Sequence, residues 1–109
     1  MIVEVVGGAD ERPEVRVVDV DDLTAVYLAL GAVTDEEADQ ALREAELGRL
    51  EGETAWLDVA ALRAAAEPQA GGGDWAQRWD GVVTEAADAG RLVDDGSGLQ
   101  VRVESAAGA

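Results

Sequence analysis

The pattern that most restricts the fold of this chain lies between residues 74 and 90. Apolar residues recur there at helical spacing and form one continuous face: Trp75, Trp79, Val82, Val83 and Ala86. Side chains three or four positions apart share one face of an α-helix, so this spacing predicts an amphipathic helix with one side in a core. Asp74 is placed to cap the start of the helix, and Gly90 is placed to end it.

After this helix the pattern becomes that of two strands. Residues 91–93 precede a turn at 94–98, and residues 99–103 alternate apolar and polar side chains, which predicts a closing antiparallel hairpin. A further helix is predicted at 59–66, with Asp58 as its cap. Two helices followed by such a hairpin also form the end of a winged-helix domain. That arrangement is an alternative for the C-terminal half.

The N-terminal part predicts a first hairpin and then a segment that fits either a helix or a strand. Valine-rich runs at 2–6 and 15–20 are separated by a polar turn and predict two antiparallel strands. Apolar residues in 23–30 recur at helical spacing, which predicts a helix capped by Asp21 or Asp22. A short buried strand is the alternative for this segment.

The middle of the chain contains one capping-box motif. Thr34 followed by Glu37 predicts the start of a helix that continues until a loop at 48–54. Residues 55–57 fit a short strand. The stretch 69–73 ends in three consecutive glycines and predicts a mobile loop.

These elements predict an α+β fold. A small antiparallel sheet, built from the N-terminal hairpin and the C-terminal strands, would pack against three to four helices. The length of 109 residues fits one domain, which we place at residues 1–104, with a frayed tail at 105–109.

The core has few large side chains from which to form. The chain contains 15 Val, 10 Leu and 3 Trp but no Phe, and 21 of its residues are Ala. Such a core buries less apolar area per residue than one rich in Phe and Ile. We therefore expect modest stability of the monomer and self-association as a homodimer.

The charge is strongly negative. There are 24 acidic and 8 basic residues, every basic residue is Arg, and the net charge is −16. The composition is typical of a high-GC bacterium or a halophile. Its physical consequence is repulsion of nucleic acid and of anionic membranes. The expected partner is the protein itself or another protein, with a basic protein as one option.

Several kinds of chemistry are excluded by missing residue types. The chain has no Cys, His or Lys, which removes disulfides, thiol and Schiff-base chemistry and the commonest general base. We predict no catalytic residues, no metal site and no cofactor. The acidic residues at 19–22 lack the spacing of a calcium loop and are predicted to cap a helix. The first residues lack the features of a signal peptide, and no apolar run is long enough for a membrane span, so a cytoplasmic location is expected.

Four residues are candidate interface or ligand contacts. They are Trp56, Trp75, Arg78 and Trp79. Trp79 lies in the middle of the apolar stripe and fits a core position. Trp75 fits either a core position or, because it lies beside the glycine loop, an exposed indole that is available to a partner.

The function favoured by this sequence is that of a small, non-catalytic accessory or protein-interaction module that self-associates. An acidic immunity protein or DNA mimic that neutralises a basic partner is a narrower form of the same hypothesis. The alternatives are a small enzyme that uses carboxylates and Arg with a small ligand or a hard metal ion, and a winged-helix regulator.

Overall fold

The computed structural model describes residues 1–8, 11–31 and 33–105. Seven strands and three α-helices lie in this part of the chain, which confirms the α+β class. The strands are β1 (Ile2–Gly8), β2 (Glu11–Val18), β3 (Tyr27–Gly31), β4 (Gly48–Glu51), β5 (Thr54–Asp58), β6 (Leu92–Val93) and β7 (Gly98–Ser105). The helices are α1 (Asp35–Glu44), α2 (Val59–Ala66) and α3 (Trp75–Asp88).

The strands form one sheet in the order β2-β1-β3-β7-β5-β4, and β6 pairs with the start of β7. The pairs β1–β3 and β3–β7 are parallel, whereas the other pairs are antiparallel. The N-terminal hairpin and the closing hairpin are confirmed. The prediction of an antiparallel sheet is wrong at its centre, where the two hairpins are joined through β3.

The parallel pairs follow from the path of the chain at 19–26. β2 ends and β3 begins beside the same residue, Ile2 of β1. The connection therefore passes around the start of β1, where the Met1 nitrogen donates to the carbonyl oxygens of Asp22 and Ala25. Because β3 starts beside the start of β1, it runs in the same direction as β1.

The predicted helix at 23–30 is wrong, and the strand alternative is confirmed for its second half. Leu28 and Leu30 of β3 are buried, and the residues between them point to the other side of the sheet. The apolar residues of this short segment fit both periods, so spacing alone could not separate helix from strand. Asp22 caps no helix and instead accepts hydrogen bonds from Thr24 within the same turn.

Two of the three helix starts carry the predicted side-chain caps. The Thr34 hydroxyl accepts from the Glu37 N–H at 3.1 Å, and the Glu37 carboxylate accepts from the Thr34 N–H at 3.0 Å. The Asp58 carboxylate accepts from a backbone N–H in the first turn of α2 at 2.8 Å. Asp74 precedes α3, but its side chain makes no capping hydrogen bond. The capping prediction is wrong there, and the Asp74 carboxylate lies 3.7 Å from Nε of Arg78 instead.

β4 occupies most of the stretch predicted as a loop. Gly48 has a φ of 156°, and a Cβ at this position would overlap the carbonyl oxygen of Trp56 on β5. The strand pair β4–β5 therefore depends on a close backbone approach that only glycine allows. Four residues with two charged side chains are too short and too polar to indicate a strand by their sequence.

The buried residues form one core on the helix-covered side of the sheet. None of the large hydrophobic residues in the described ranges is exposed. The largest fully buried side chains are Trp75, Trp79, Met1, Leu28, Leu42, Leu57, Leu62, Leu99, Val3 and Val5. Both Trp residues come from α3, so this helix supplies the bulk that a chain without Phe would otherwise lack.

The outer edge of β4 is closed by a side chain of α1. Oδ1 of Asp39 accepts from the Leu50 N–H at 2.9 Å, and Oδ2 accepts from Nε of Arg43 at 2.9 Å. Desolvation alone would raise the pKa of Asp39, but the hydrogen bonds from Leu50 and Arg43 and the charge of Arg43 outweigh it and lower the pKa. The ionised carboxylate is therefore favoured in the folded state.

We expect Asp39→Ala to lower the free energy of unfolding by about 1–3 kcal/mol, because the Leu50 N–H loses its acceptor. A carboxyl whose pKa is lowered by folding stabilises the protein above its unfolded pKa of about 3.9 and loses this contribution as the pH falls further. Urea unfolding at pH 7 and below pH 4 measures both effects. Glu36→Ala, an exposed change on the same helix, is the control and should cost a few tenths of a kcal/mol. Equal losses for the two variants would contradict the assignment.

Parts of two predicted segments lie outside the described residues. These are residues 9 and 10 of the predicted polar turn, and residues 106–109 of the predicted tail. Ser105, predicted to begin the tail, instead ends β7 and pairs with Leu30 of β3.

Candidate functional site

Trp75 and Trp79 lie in the core. Each side chain is about 1% exposed, and the two rings stack with centroids 5.8 Å apart and planes 3° apart. Nε1 of Trp75 donates to the carbonyl oxygen of Val20 at 2.6 Å. Of the two alternatives for Trp75, the exposed contact is wrong, because the 19–22 turn covers the indole and satisfies its only donor.

Arg78 holds the same turn against α3. Its Nη1 donates to the carbonyl oxygen of Asp21 at 2.9 Å, and its Nη2 lies 3.7 Å from the Asp21 carboxylate. That carboxylate also accepts from the Gly71 N–H at 3.1 Å. These contacts join the turn, the glycine loop and the start of α3. The acidic residues of the turn therefore have a structural use here that differs from the predicted helix cap.

Trp56 lies away from the other two Trp residues. Ala55 and Leu57 of β5 are buried in the core, so Trp56 points from the opposite side of the sheet. The guanidinium of Arg49 lies over its ring at 5.0 Å and also lies 3.6 Å from the Asp94 carboxylate. The half-buried Trp56 ring therefore already has a cation on one face.

A cleft beside β7 combines apolar walls with charged groups. On one edge, β7 pairs with β6 at its start and with β3 at its end. Residues 100–102 lie between these two pairings, and the gap opens into a cleft of about 440 Å³. This volume is within the range of small-ligand pockets, about 300–1,000 Å³.

The walls of this cleft come from four parts of the chain. They are the 23–26 connection, the 53–54 turn, α3 and β7 with the residue before β6. The lining residues are Leu23, Thr24, Ala25, Val26, Glu53, Thr54, Val82, Glu85, Arg91, Leu99, Gln100, Val101 and Arg102. Its apolar members are buried or half-buried, whereas its four charged members are exposed. The cleft thus has a partly apolar interior, to which the half-buried Thr54 and Gln100 also contribute, and a charged mouth.

The four charged groups differ in how they are paired. Nε of Arg102 lies 3.1 Å from the Glu104 carboxylate, and its guanidinium lies over the Tyr27 ring at 4.9 Å. Glu53, Glu85 and Arg91 form no ion pair with any described side chain. Two carboxylates and one guanidinium are therefore available at the mouth.

The groups with displaced pKa values lie outside the cleft lining. The Thr24 hydroxyl and N–H, which donate to Asp22, lower the pKa of that carboxyl. Burial lowers the pKa of the Met1 amino group, against the opposing effect of the Asp22 and Asp19 charges. Asp39 lies on α1, which contributes nothing to the cleft. Within the described residues, no three acidic side chains converge in a way that could hold a metal ion.

This cleft could not be predicted from the sequence. Its lining comes from segments up to about 80 residues apart in the sequence, and no local motif marks them. The gap exists because β3 pairs only with the end of β7. This pairing was not predicted, because most of β3 lies in the segment 23–30, which was predicted to be a helix.

No helix in the described ranges is long and apolar enough to cross a bilayer. Comparison of the chain with protein-family models, with curated proteins and with solved structures gave no match.

Proposed function

We propose that the protein is a non-catalytic interaction module whose partner is a basic protein. The main support is the way in which the arginines are used. Six of the seven arginines with described side chains lie within 4.0 Å of a carboxylate of the same chain. Because acidic residues outnumber basic ones by 24 to 8, most carboxylates remain available to an external cation.

The composition supports a non-catalytic role. A chain without His, Cys or Lys lacks the side chains that most often act as bases or nucleophiles near neutral pH. An enzyme that used carboxylates would need one with a raised pKa as its acid. Among the described carboxyls, the two with displaced pKa values are Asp22 and Asp39, and both are shifted downward.

Fluorescence anisotropy with labelled octapeptides tests this proposal. A peptide of alternating Lys and Leu is expected to bind, with an affinity that falls at least about tenfold between 50 and 500 mM salt. A peptide with Glu in place of Lys and a duplex DNA are expected not to bind. Equal binding of the Lys and Glu peptides, or binding of neither, would contradict the proposed function.

A winged-helix regulator is the second candidate, favoured by the order of elements. The sequence β5, α2, α3, β6, β7 is a strand, two helices and a hairpin, with β7 paired to both β5 and β6. In winged-helix proteins the second of these helices often reads the major groove. Here that helix exposes Asp80, Glu85 and Asp88, and its one arginine, Arg78, is paired with two aspartates. We therefore propose that this unit of one strand, two helices and a hairpin contacts a protein rather than DNA. Salt-sensitive binding of duplex DNA would contradict that proposal.

Self-association stays a prediction, although its expected anchor, Trp75, is buried. β2 lies at one end of the sheet and is the longer of the two outer strands, so a two-fold pairing of this edge is the expected contact. Sedimentation equilibrium at two salt concentrations measures it. A dimer that tightens with salt is expected, because screening weakens the repulsion between two anionic copies. A strict 11.3 kDa monomer in both conditions would contradict the prediction.

A further inference from the structure

We propose that the cleft beside β7 receives a long cationic side chain, Lys or Arg, from a basic partner protein. This inference rests on the proposed function and names the place and the chemistry of the contact. It is carried by three properties of the cleft: its apolar walls, its two available carboxylates and its position on an anionic protein.

The apolar walls suit the stem of such a side chain. Leu23, Val26 and Val82 are half-buried, and Leu99 and Val101 below them are buried. Lys and Arg bury their methylene stems against apolar surface while their charged ends remain near water. At about 440 Å³ the cleft exceeds the volume of one side chain, so it also has room for an apolar neighbour in the same segment.

The charges at the mouth favour a cation. Glu53 on the 53–54 turn and Glu85 on α3 carry two negative charges that no described cation neutralises. Arg91 contributes one opposing positive charge, whereas the charge of Arg102 is compensated by Glu104. The mouth is therefore negative overall, on a chain whose net charge is −16.

The opposite assignment, an anionic ligand held by Arg91, is disfavoured by the same groups. A carboxylate or phosphate at Arg91 would approach Glu53 and Glu85 and the negative field of the whole chain. The two assignments make opposite predictions for Arg91. Its removal strengthens binding of a cation and weakens binding of an anion.

Three variants and the labelled Lys–Leu octapeptide test the inference. The double variant Glu53→Gln/Glu85→Gln removes both available carboxylates, and Arg91→Gln removes the opposing charge. The matched control is Asp35→Asn/Glu36→Gln, which removes two exposed carboxylates from α1, a helix that does not line the cleft. All five substituted side chains are exposed, so folding should be preserved, and circular dichroism checks it.

The cleft double variant is expected to weaken binding about tenfold, because two partly exposed ion pairs with the peptide are lost. The α1 control should weaken it less than about threefold, because only the screened long-range field changes. Arg91→Gln should tighten it. A second peptide with Ser in place of Leu should bind more weakly, since it cannot use the apolar walls.

The outcomes separate this inference from the proposed function. If the peptide binds but the two double variants weaken it equally, the protein binds basic partners through its general field and the cleft assignment is wrong. If Arg91→Gln weakens binding, the assignment of a cationic rather than an anionic ligand to the cleft is wrong. If no basic peptide binds the unmodified protein, the proposed function itself fails.

Discussion

Trp75→Ala is expected to lower the free energy of unfolding by about 3–5 kcal/mol, the cost of deleting a fully buried aromatic side chain. The substitution removes the stacking on Trp79 and the donor to the Val20 carbonyl, and it leaves a cavity beneath the 19–22 turn. Domains are commonly stable by only 5–15 kcal/mol, so a large part of the total stability would be lost. Urea unfolding followed by far-ultraviolet circular dichroism measures the change.

Trp75→Phe separates the two contributions and remains informative if the Ala variant does not fold. Phe retains most of the apolar bulk but cannot donate to Val20, so a smaller loss of about 1–3 kcal/mol is expected. A loss below about 1 kcal/mol for Trp75→Ala would mean that the indole is not buried in solution. The hypothesis that Trp75 is an exposed contact for a partner would then be supported again.

Gly48→Ala is expected to cost about 3 kcal/mol or more, because it combines a steric clash with an unfavourable backbone conformation. The new Cβ would overlap the Trp56 carbonyl oxygen, which is backbone and cannot move aside as a flexible side chain can. Relief requires that β4 move away from β5 or that the chain leave a φ of 156°. Thermal unfolding should show a large drop in Tm, and hydrogen exchange should show faster exchange of the Leu50 amide.

Gly81→Ala is the matched control, since it adds the same methyl group elsewhere. A Cβ at Gly81 would meet no described atom within 4 Å, and this position lies inside α3. Alanine is favoured over glycine within a helix by roughly 0.5–1 kcal/mol, so this variant should be slightly stabilised. Similar Tm changes for the two glycine variants would contradict the proposed role of Gly48.

Local sequence signals predicted most elements because the physical cause of each is also local. The capping box of Thr34 and Glu37 marks the start of α1, and Asp58 marks the start of α2, because both caps are satisfied within one helical turn. The apolar spacing of 75–86 placed α3 and its buried face. Valine alternation placed both hairpins, whose turns bring neighbouring segments together.

The candidate site could not be predicted in the same way. Glu53 and Glu85 lie in separate elements, and nothing near either of them indicates that both belong to one cleft. Whether these two carboxylates are unpaired is also decided by the folded structure, because it depends on which carboxylates form ion pairs with the arginines. Composition predicted only that such unpaired carboxylates would exist.

The sequence by itself determined the charge, the absence of His, Cys and Lys, and the positions of the strongly patterned helices and hairpins, because these depend on residue types and short-range spacing. Tertiary structure alone decided that 27–31 is a strand, that β4 exists and that Trp75 is buried. Each of these depends on partners far away in the sequence: β1 and β7 beside β3, Trp56 beside Gly48, and Val20 above the indole. A short segment can have apolar spacing that fits both a helix and a strand. It then adopts the conformation in which its backbone is hydrogen-bonded and its apolar side chains are buried by the rest of the fold.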